Sequence, residues 1–142
     1  VITANEKGVD LPLLGGDGLD GILNYLTGDN AKLVEGLIFL TPFISTDTDP
    51  AIQSFTQKYT EKYGKVPDQF AADGYDAVYL VKLALEKAGI TSPDAVDNAA
   101  LVAAMTEIEL DGLTGHMTFD ENGEPMKDAK VAKIIDGVYV AQ

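Results

Sequence analysis

Leu11-Pro12-Leu13-Leu14-Gly15-Gly16-Asp17-Gly18-Leu19-Asp20-Gly21 is the stretch whose reading decides the fold. Its first five residues form a short apolar run closed by glycine, the pattern of a buried parallel strand. A glycine-rich turn follows, and residues 20–26 carry an amphipathic pattern that predicts a helix ending at Gly28. Residues 34–43 hold the next strand, with Leu37, Ile38, Phe39 and Leu40 as an almost continuous apolar centre. Strand, helix and strand in this order predict a right-handed βαβ unit, and so a parallel sheet in an α/β fold.

Upstream, residues 1–7 read as the last turns of a helix, with Gly8 as its left-handed cap. The rest of that helix is expected before Val1, so the chain reads as a fragment. Downstream, Asp49-Pro50 supplies a capping acid and a proline at the first helical position, and Gly64 supplies the stop. Ile52, Phe55, Tyr59 and Tyr63 fall on one face of that helix. Val66-Pro67-Asp68 opens a second helix to Ala88, its apolar surface supplied by Val78, Tyr79, Leu80, Leu83 and Leu85. Ser92-Pro93-Asp94 opens a third, to about Met105. The tail then changes period. Met117 and Phe119 alternate with His116 and Thr118, Asp120-Glu121-Asn122-Gly123 reads as a hairpin turn, and Lys130 to Ile135 is a strand. Asp136-Gly137 turns it into Val138-Tyr139-Val140, so the chain is expected to close in an antiparallel meander.

The 142 residues suffice for one domain with a real core, and a hydrophobic fraction of 46% is that of a globular chain. Ten basic residues against 23 acidic ones leave a net charge of −13. That charge repels phosphate backbones and anionic lipid surfaces, which argues against nucleic acid as a partner. The absence of cysteine removes disulfides, thiolate metal sites and a catalytic thiol together.

Four kinds of chemistry are open to these residues. Gly16-Asp17-Gly18-Leu19-Asp20-Gly21 spells G-x-G-x-x-G between a strand and a helix, the context of a dinucleotide fingerprint. Asp17 counts against it, because its carboxylate would oppose an arriving pyrophosphate, and no acid ends the next strand to bind a ribose. The same loop suits a cation: an acid between glycines at the C-terminal end of a parallel strand can accept charge-assisted bonds from an ammonium group. A plain helix cap is the structural alternative for Asp17. Catalysis has little support, since His116 is the sole histidine and no serine has a base near it in sequence. Neither Asp47-Thr48-Asp49 nor Asp120-Glu121-Asn122-Gly123 gives a calcium-loop pattern, so no metal or cofactor is expected.

Taken in order, Lys7 to Gly18, Val34-Glu35-Gly36-Leu37-Ile38-Phe39, Phe55 to Tyr63 with Gly64 and Pro67, Ala72-Asp73-Gly74-Tyr75-Asp76-Ala77, Gly112-Leu113-Thr114-Gly115 and Phe119-Asp120-Glu121-Asn122-Gly123 carry a likeness to a known family. The chain resembles the C-terminal part of the leucine/isoleucine/valine-binding type of periplasmic binding protein, type I, along nearly its whole length. The resemblance implies two α/β lobes that close on a small amino acid, branched-chain type, outside the cell, for delivery to the membrane permease of an ABC importer. Such a protein is not an enzyme, and it lies in the periplasm or on the cell surface as a lipoprotein. Residues 1–43 and 110–142 would be second-lobe elements, and residues 50–105 helices returning to the first lobe. Asp17 matches the acid that binds the ligand's α-ammonium, with Gly18 and Leu19 as its neighbours in the pocket. Helices parted from their lobe's sheet would leave apolar faces uncovered, so the fragment is expected to dimerise, swap elements or pack the helices on its own shortened sheet. A nucleotide-using α/β enzyme and a ligand-sensing receptor domain of the same fold are the competing readings.

Overall fold

The elements, in chain order, are α1 (Ile2–Glu6), β1 (Leu14–Gly15), β2 (Ile38–Thr41), α2 (Pro50–Tyr63), α3 (Gln69–Lys87) and α4 (Asn98–Met105). The tail adds β3 (Leu110–Gly112), β4 (Gly115–Phe119), β5 (Pro125–Met126), β6 (Lys130–Ile135) and β7 (Val138–Ala141). The computed structural model describes residues 1–26 and 28–142. The chain divides into two units, one of residues 1–69 with 129–142 and one of residues 70–128.

The first unit is built on a four-stranded sheet of order β1-β2-β6-β7, in which β1 and β2 are parallel and the other pairs antiparallel. The parallel pair expected from the sequence is therefore present. Its connection is not the expected helix over residues 20–26. It consists of short 3-10 turns, Asp17–Leu19, Ile22–Asn24 and Gly28–Val34. Gly21 takes φ +79°, and Asp20 before it is extended, so no α-helical ladder propagates across them.

The core of this unit is Val34, Leu37, Phe39, Ile44, Ala132 and Ile134, with Leu13, Leu19, Ile22, Leu23, Leu26 and Tyr139 packed partly against it. Alternation along β6 puts Ala132 and Ile134 on the buried face. Phe39, fully buried and worth about 1.5–3 kcal/mol of burial, meets the partly buried Tyr139 edge to face at 5.2 Å between centroids. The β6–β7 turn has Asp136 at φ +52° and Gly137 at φ +73°, the backbone of a type I′ hairpin. Glu35 accepts the N–H of Asp136 at 2.9 Å, tying this turn to the loop before β2.

Helix ends in this unit behave as their sequences ask. Gly8 closes α1 at φ +66°, with its N–H on Asn5 O and that of Val9 on Ala4 O, both at 3.0 Å. Asp49 accepts the Ala51 N–H at 2.7 Å to start α2, and Gly64 at φ +69° ends it. Phe43, Phe55, Tyr59 and Tyr63 form a ladder of rings along α2, with successive centroids 6.0, 5.7 and 4.6 Å apart.

The second unit carries α3 from Phe70 onward, α4, and a separate sheet of order β3-β4-β5. The tail thus divides between two sheets, β3-β4-β5 and the mixed sheet that takes β6 and β7, rather than forming one continuous meander. Ala72, Asp76 and Ala84 mark the buried face of α3. Its other apolar residues are not covered: Phe70, Val78 and Val81 are about half or more exposed, as are Val102 of α4 and, to a lesser degree, Tyr75 and Tyr79. The third expected helix begins later than its first cap. Ser92 caps only the 3-10 turn Pro93–Ala95, and Asp97 caps α4 afresh through Ala99 and Ala100 N–H.

Two signature segments meet inside this unit. Asp76 is 2% exposed, and its carboxylate accepts Leu113 N–H at 2.9 Å and both Thr114 N–H and Thr114 Oγ1–H at 2.8 Å. A Cβ on Gly112 would lie 2.5 Å from Asp76 Oδ2, so glycine there is what lets the carboxylate approach. Lys127 then bonds Thr114 Oγ1 and Asp73 Oδ1, each at 3.2 Å.

Candidate functional site

β1 and β2 run parallel and end side by side, and ligands of open α/β sheets gather at such C-terminal ends. β1 delivers Gly16-Asp17-Gly18, and β2 delivers Thr41. Asp17 stands in a single 3-10 turn held by Leu19 N–H on Gly16 O at 3.2 Å and Asp20 N–H on Asp17 O at 2.9 Å. Its carboxylate is exposed and, among the described residues, takes no hydrogen bond. The cap reading of Asp17 therefore does not apply.

Behind the turn lies a buried polar network that sequence reasoning missed. Asp20 is 7% exposed and accepts Gly21 N–H through Oδ1 and Gln69 N–H through Oδ2, both at 2.7 Å. Gln69, 1% exposed, donates from Nε2 to Asp17 O at 3.0 Å. Its Oε1 lies 3.1 Å from Thr41 Oγ1, whose single proton is shared with Phe43 O at 2.9 Å. Burial raises the Asp20 pKa above the ordinary carboxylate range, the N–H groups of Gln69 and Gly21 offset part of that rise, and the nearby Asp68 charge adds to it. No local signal announces this cluster, because Gln69 lies 52 residues from Asp17. In the sequence Asp20 is one letter inside a glycine pattern.

The three residues expected at the site divide. Asp17 and Gly18 face solvent, and a Cβ on Gly16 or Gly18 would meet nothing within 4 Å. Neither of these glycines has a positive φ. Conformation and packing within the described chain thus leave glycine at 16 and 18 unexplained. Leu19 turns inward instead, half-buried on the core, where a methyl group on Gly15 would overlap its side chain. A cleft of about 210 Å³ opens on the far side of Gly21, lined in part by Ser45, Pro67, Asp68 and Tyr139, and none of the three lines it.

The nucleotide reading loses its physical basis here, because the glycine loop enters 3-10 turns and presents no α-helix N-terminus to a pyrophosphate. The acidic loops have structural work of their own. Asp49 caps α2, Asp47 accepts Lys130 Nζ at 2.7 Å, and Asp120 accepts the N–H groups of Asn122 and Glu124 within its turn. Among the described residues no group of three or more His, Cys, Asp or Glu is placed to hold a metal ion. His116 is exposed on β4, its Nδ1 2.7 Å from Asp111 Oδ1. That hydrogen bond, with the charges of Asp111 and Glu109, raises the His116 pKa. The folded chain therefore holds this proton more tightly than the unfolded one. The resulting stabilisation is full below the ordinary histidine range and is lost as pH rises through the raised value. Asp111→Asn is expected to return the His116 pKa toward the ordinary value in an NMR titration, and an unchanged midpoint would contradict the assignment.

A family model described as "Periplasmic binding protein" matches residues 3–138. The chain belongs to this family. Its members are solute-binding proteins, not enzymes. A leucine-binding protein from Thermotoga maritima is 30% identical, with a TM-score of 0.79 over 99% of this chain and 39% of its own. The substrate-binding protein of a branched-chain amino-acid transporter from Streptococcus pneumoniae, solved with isoleucine, is 25% identical, with a TM-score of 0.76 over 99% of this chain and 40% of its own. A solute-binding protein of an ABC transporter from R. palustris, in complex with benzoate, shares the fold at 21% identity, with a TM-score of 0.79 over 96% of this chain and 36% of its own. The chain thus spans less than half the length of these relatives. No curated protein sequence matches it. No helix among the described residues is long and apolar enough to cross a membrane.

Proposed function

We propose that the chain is part of the extracytoplasmic solute-binding component of an ABC importer, and that its solute is a small amino acid of branched-chain type. The observation that carries this reading is Asp17: an exposed carboxylate without a hydrogen-bond partner among the described residues, flanked by two glycines that the chain's own packing does not require. A cationic group brought close to that turn would gain a charge-assisted bond, and Gly16 and Gly18 leave it room to approach. An α-ammonium has the right charge. Benzoate, the ligand of the R. palustris relative, has no ammonium group, and a carboxylate at this position would repel it.

In this reading Asp17 binds the ammonium, Gly18 shapes the approach, and Leu19 acts from below by packing on Gly15. Residues 1–43 and 110–142 supply second-lobe elements. The helices of residues 50–105 return to the first lobe, whose remaining part would cover Phe70, Val78, Val81 and Val102. The membrane permease would accept the closed, loaded form. Calorimetric titration of the complete binding protein with a panel of amino acids and their deaminated counterparts tests the function. Binding of an aliphatic amino acid, with its deaminated counterpart far weaker, is the expected result. A protein that takes only carboxylates without an ammonium group would end this reading.

The exposed apolar residues of α3 and α4 give the isolated 142-residue chain a second expected behaviour. By itself it is expected to self-associate, by dimerising or by swapping elements, since apolar surface of this extent seeks cover. Light scattering that finds a monomer, together with weak binding of an apolar dye, would oppose this.

A further inference from the structure

We infer that Gln69 is the positioning residue of the ligand-binding turn, aiming the Asp17 carboxylate through a bond to the Asp17 backbone. The inference rests on the function proposed above. Asp17 sits between Gly16 and Gly18, and no side chain stands on either neighbour to brace the turn. Among the described residues it is closed locally by two hydrogen bonds, one of them long at 3.2 Å. Among the same residues, the bond from Gln69 Nε2 to Asp17 O is the one that reaches the Asp17 backbone from a distant part of the chain. With Asp20 N–H it fills both lone pairs of that carbonyl, which fixes the plane of the peptide that follows Asp17.

Gln69 is itself held at three points. Its N–H is on Asp20 Oδ2, its Oε1 faces the Thr41 hydroxyl, and its Nε2 faces Asp17 O. The amide cannot turn over, because Oε1 would then oppose the Asp17 carbonyl oxygen, which only accepts. A side chain 1% exposed and oriented in this way passes the rigidity of the sheet, through Thr41 of β2, to an otherwise lightly held turn. Pre-organisation of this kind lowers the entropy cost of binding without any contact to the ligand.

The test uses the complete binding protein, titrated well below its melting temperature with the amino acid it binds best. Gln69→Leu removes the donor and is expected to weaken binding by roughly tenfold, the worth of one net hydrogen bond. In an Asp17→Ala background the same change is expected to do nothing further, since the carboxylate it aims is gone. An equal loss in both backgrounds, or no loss in either, overturns the proposal. Gln69→Glu keeps the length and the Thr41 contact but sets an acceptor against Asp17 O. Its affinity is expected to recover as falling pH protonates the new carboxyl, over a range where the unaltered protein's affinity is flat. A flat profile for this variant counts against the proposal, as does failure of both variants to fold, which would make Gln69 part of the framework. If the unaltered protein takes no amino acid, the functional reading has failed, and amide exchange at Leu19 and Asp20 then decides: faster in Gln69→Leu supports the positioning role, unchanged refutes it.

Discussion

Asp76→Ala is expected to destabilise residues 70–128 by about 3–5 kcal/mol, enough to unfold a marginal unit. The carboxylate accepts three hydrogen bonds from Leu113 and Thr114 at 2.8–2.9 Å, and water cannot replace it at 2% exposure. Alanine leaves those three donors buried, each costing about 1–3 kcal/mol when unpaired. Asp76→Asn is expected to cost less, since one oxygen remains, although its new N–H groups then face Thr114. Gly112→Ala attacks the same contact from the other side, because its Cβ would lie 2.5 Å from Oδ2 and 2.6 Å from Cγ of Asp76. Urea denaturation followed by hydrogen exchange would measure all three. A midpoint for Asp76→Ala within about 0.5 kcal/mol of the parent would show that this carboxylate does not hold the turn.

Asp17→Ala should do the reverse, sparing the fold and damaging the function. Its side chain is exposed and takes no hydrogen bond among the described residues, so stability is expected to change by less than about 0.5 kcal/mol. Affinity for an α-amino acid is expected to fall by about 2–4 kcal/mol, roughly 30- to 1,000-fold, because an enclosed ammonium would lose its counter-charge. Asp17→Asn retains an acceptor but no charge and should lie between. Affinity for the deaminated ligand should hold or improve in both variants. Unchanged amino-acid affinity in Asp17→Ala would remove Asp17 from the site.

The sequence was most readable where structure is set by neighbours in the chain. The Asp49-Pro50 start and Gly64 stop of α2, the strand from Lys130 to Ile135 and the Asp136-Gly137 turn all follow from capping, periodicity and positive φ. It was least readable where a distant partner decides. Residues 20–26 have a helical pattern, yet the side chain of Asp20 is committed to Gly21 and Gln69 N–H groups, and the left-handed Gly21 breaks the ladder. The meander divides in two because β6 pairs with β2 rather than with β5, a choice no local pattern encodes. At the site, Asp17 was visible from its glycines and from the family likeness. Gln69 and Thr41 were not, since a glutamine one residue inside a helix and a threonine at a strand end are ordinary in their own surroundings.

The pairing of β2 with β6 also orders events at synthesis. Ile38 and Lys133 are partners, yet the whole of residues 70–128 is made between them. Closing so long a loop costs only about 0.6 kcal/mol for each doubling of length, but contacts between distant residues form slowly. While the ribosome is still making that insert, β2 has β1 on one side and a bare row of N–H and C=O groups on the other. Such an open edge is a template for any other unpaired strand. A chain stalled or cut before residue 130 would keep it, which makes the last thirteen residues the segment that protects this protein from its own sheet.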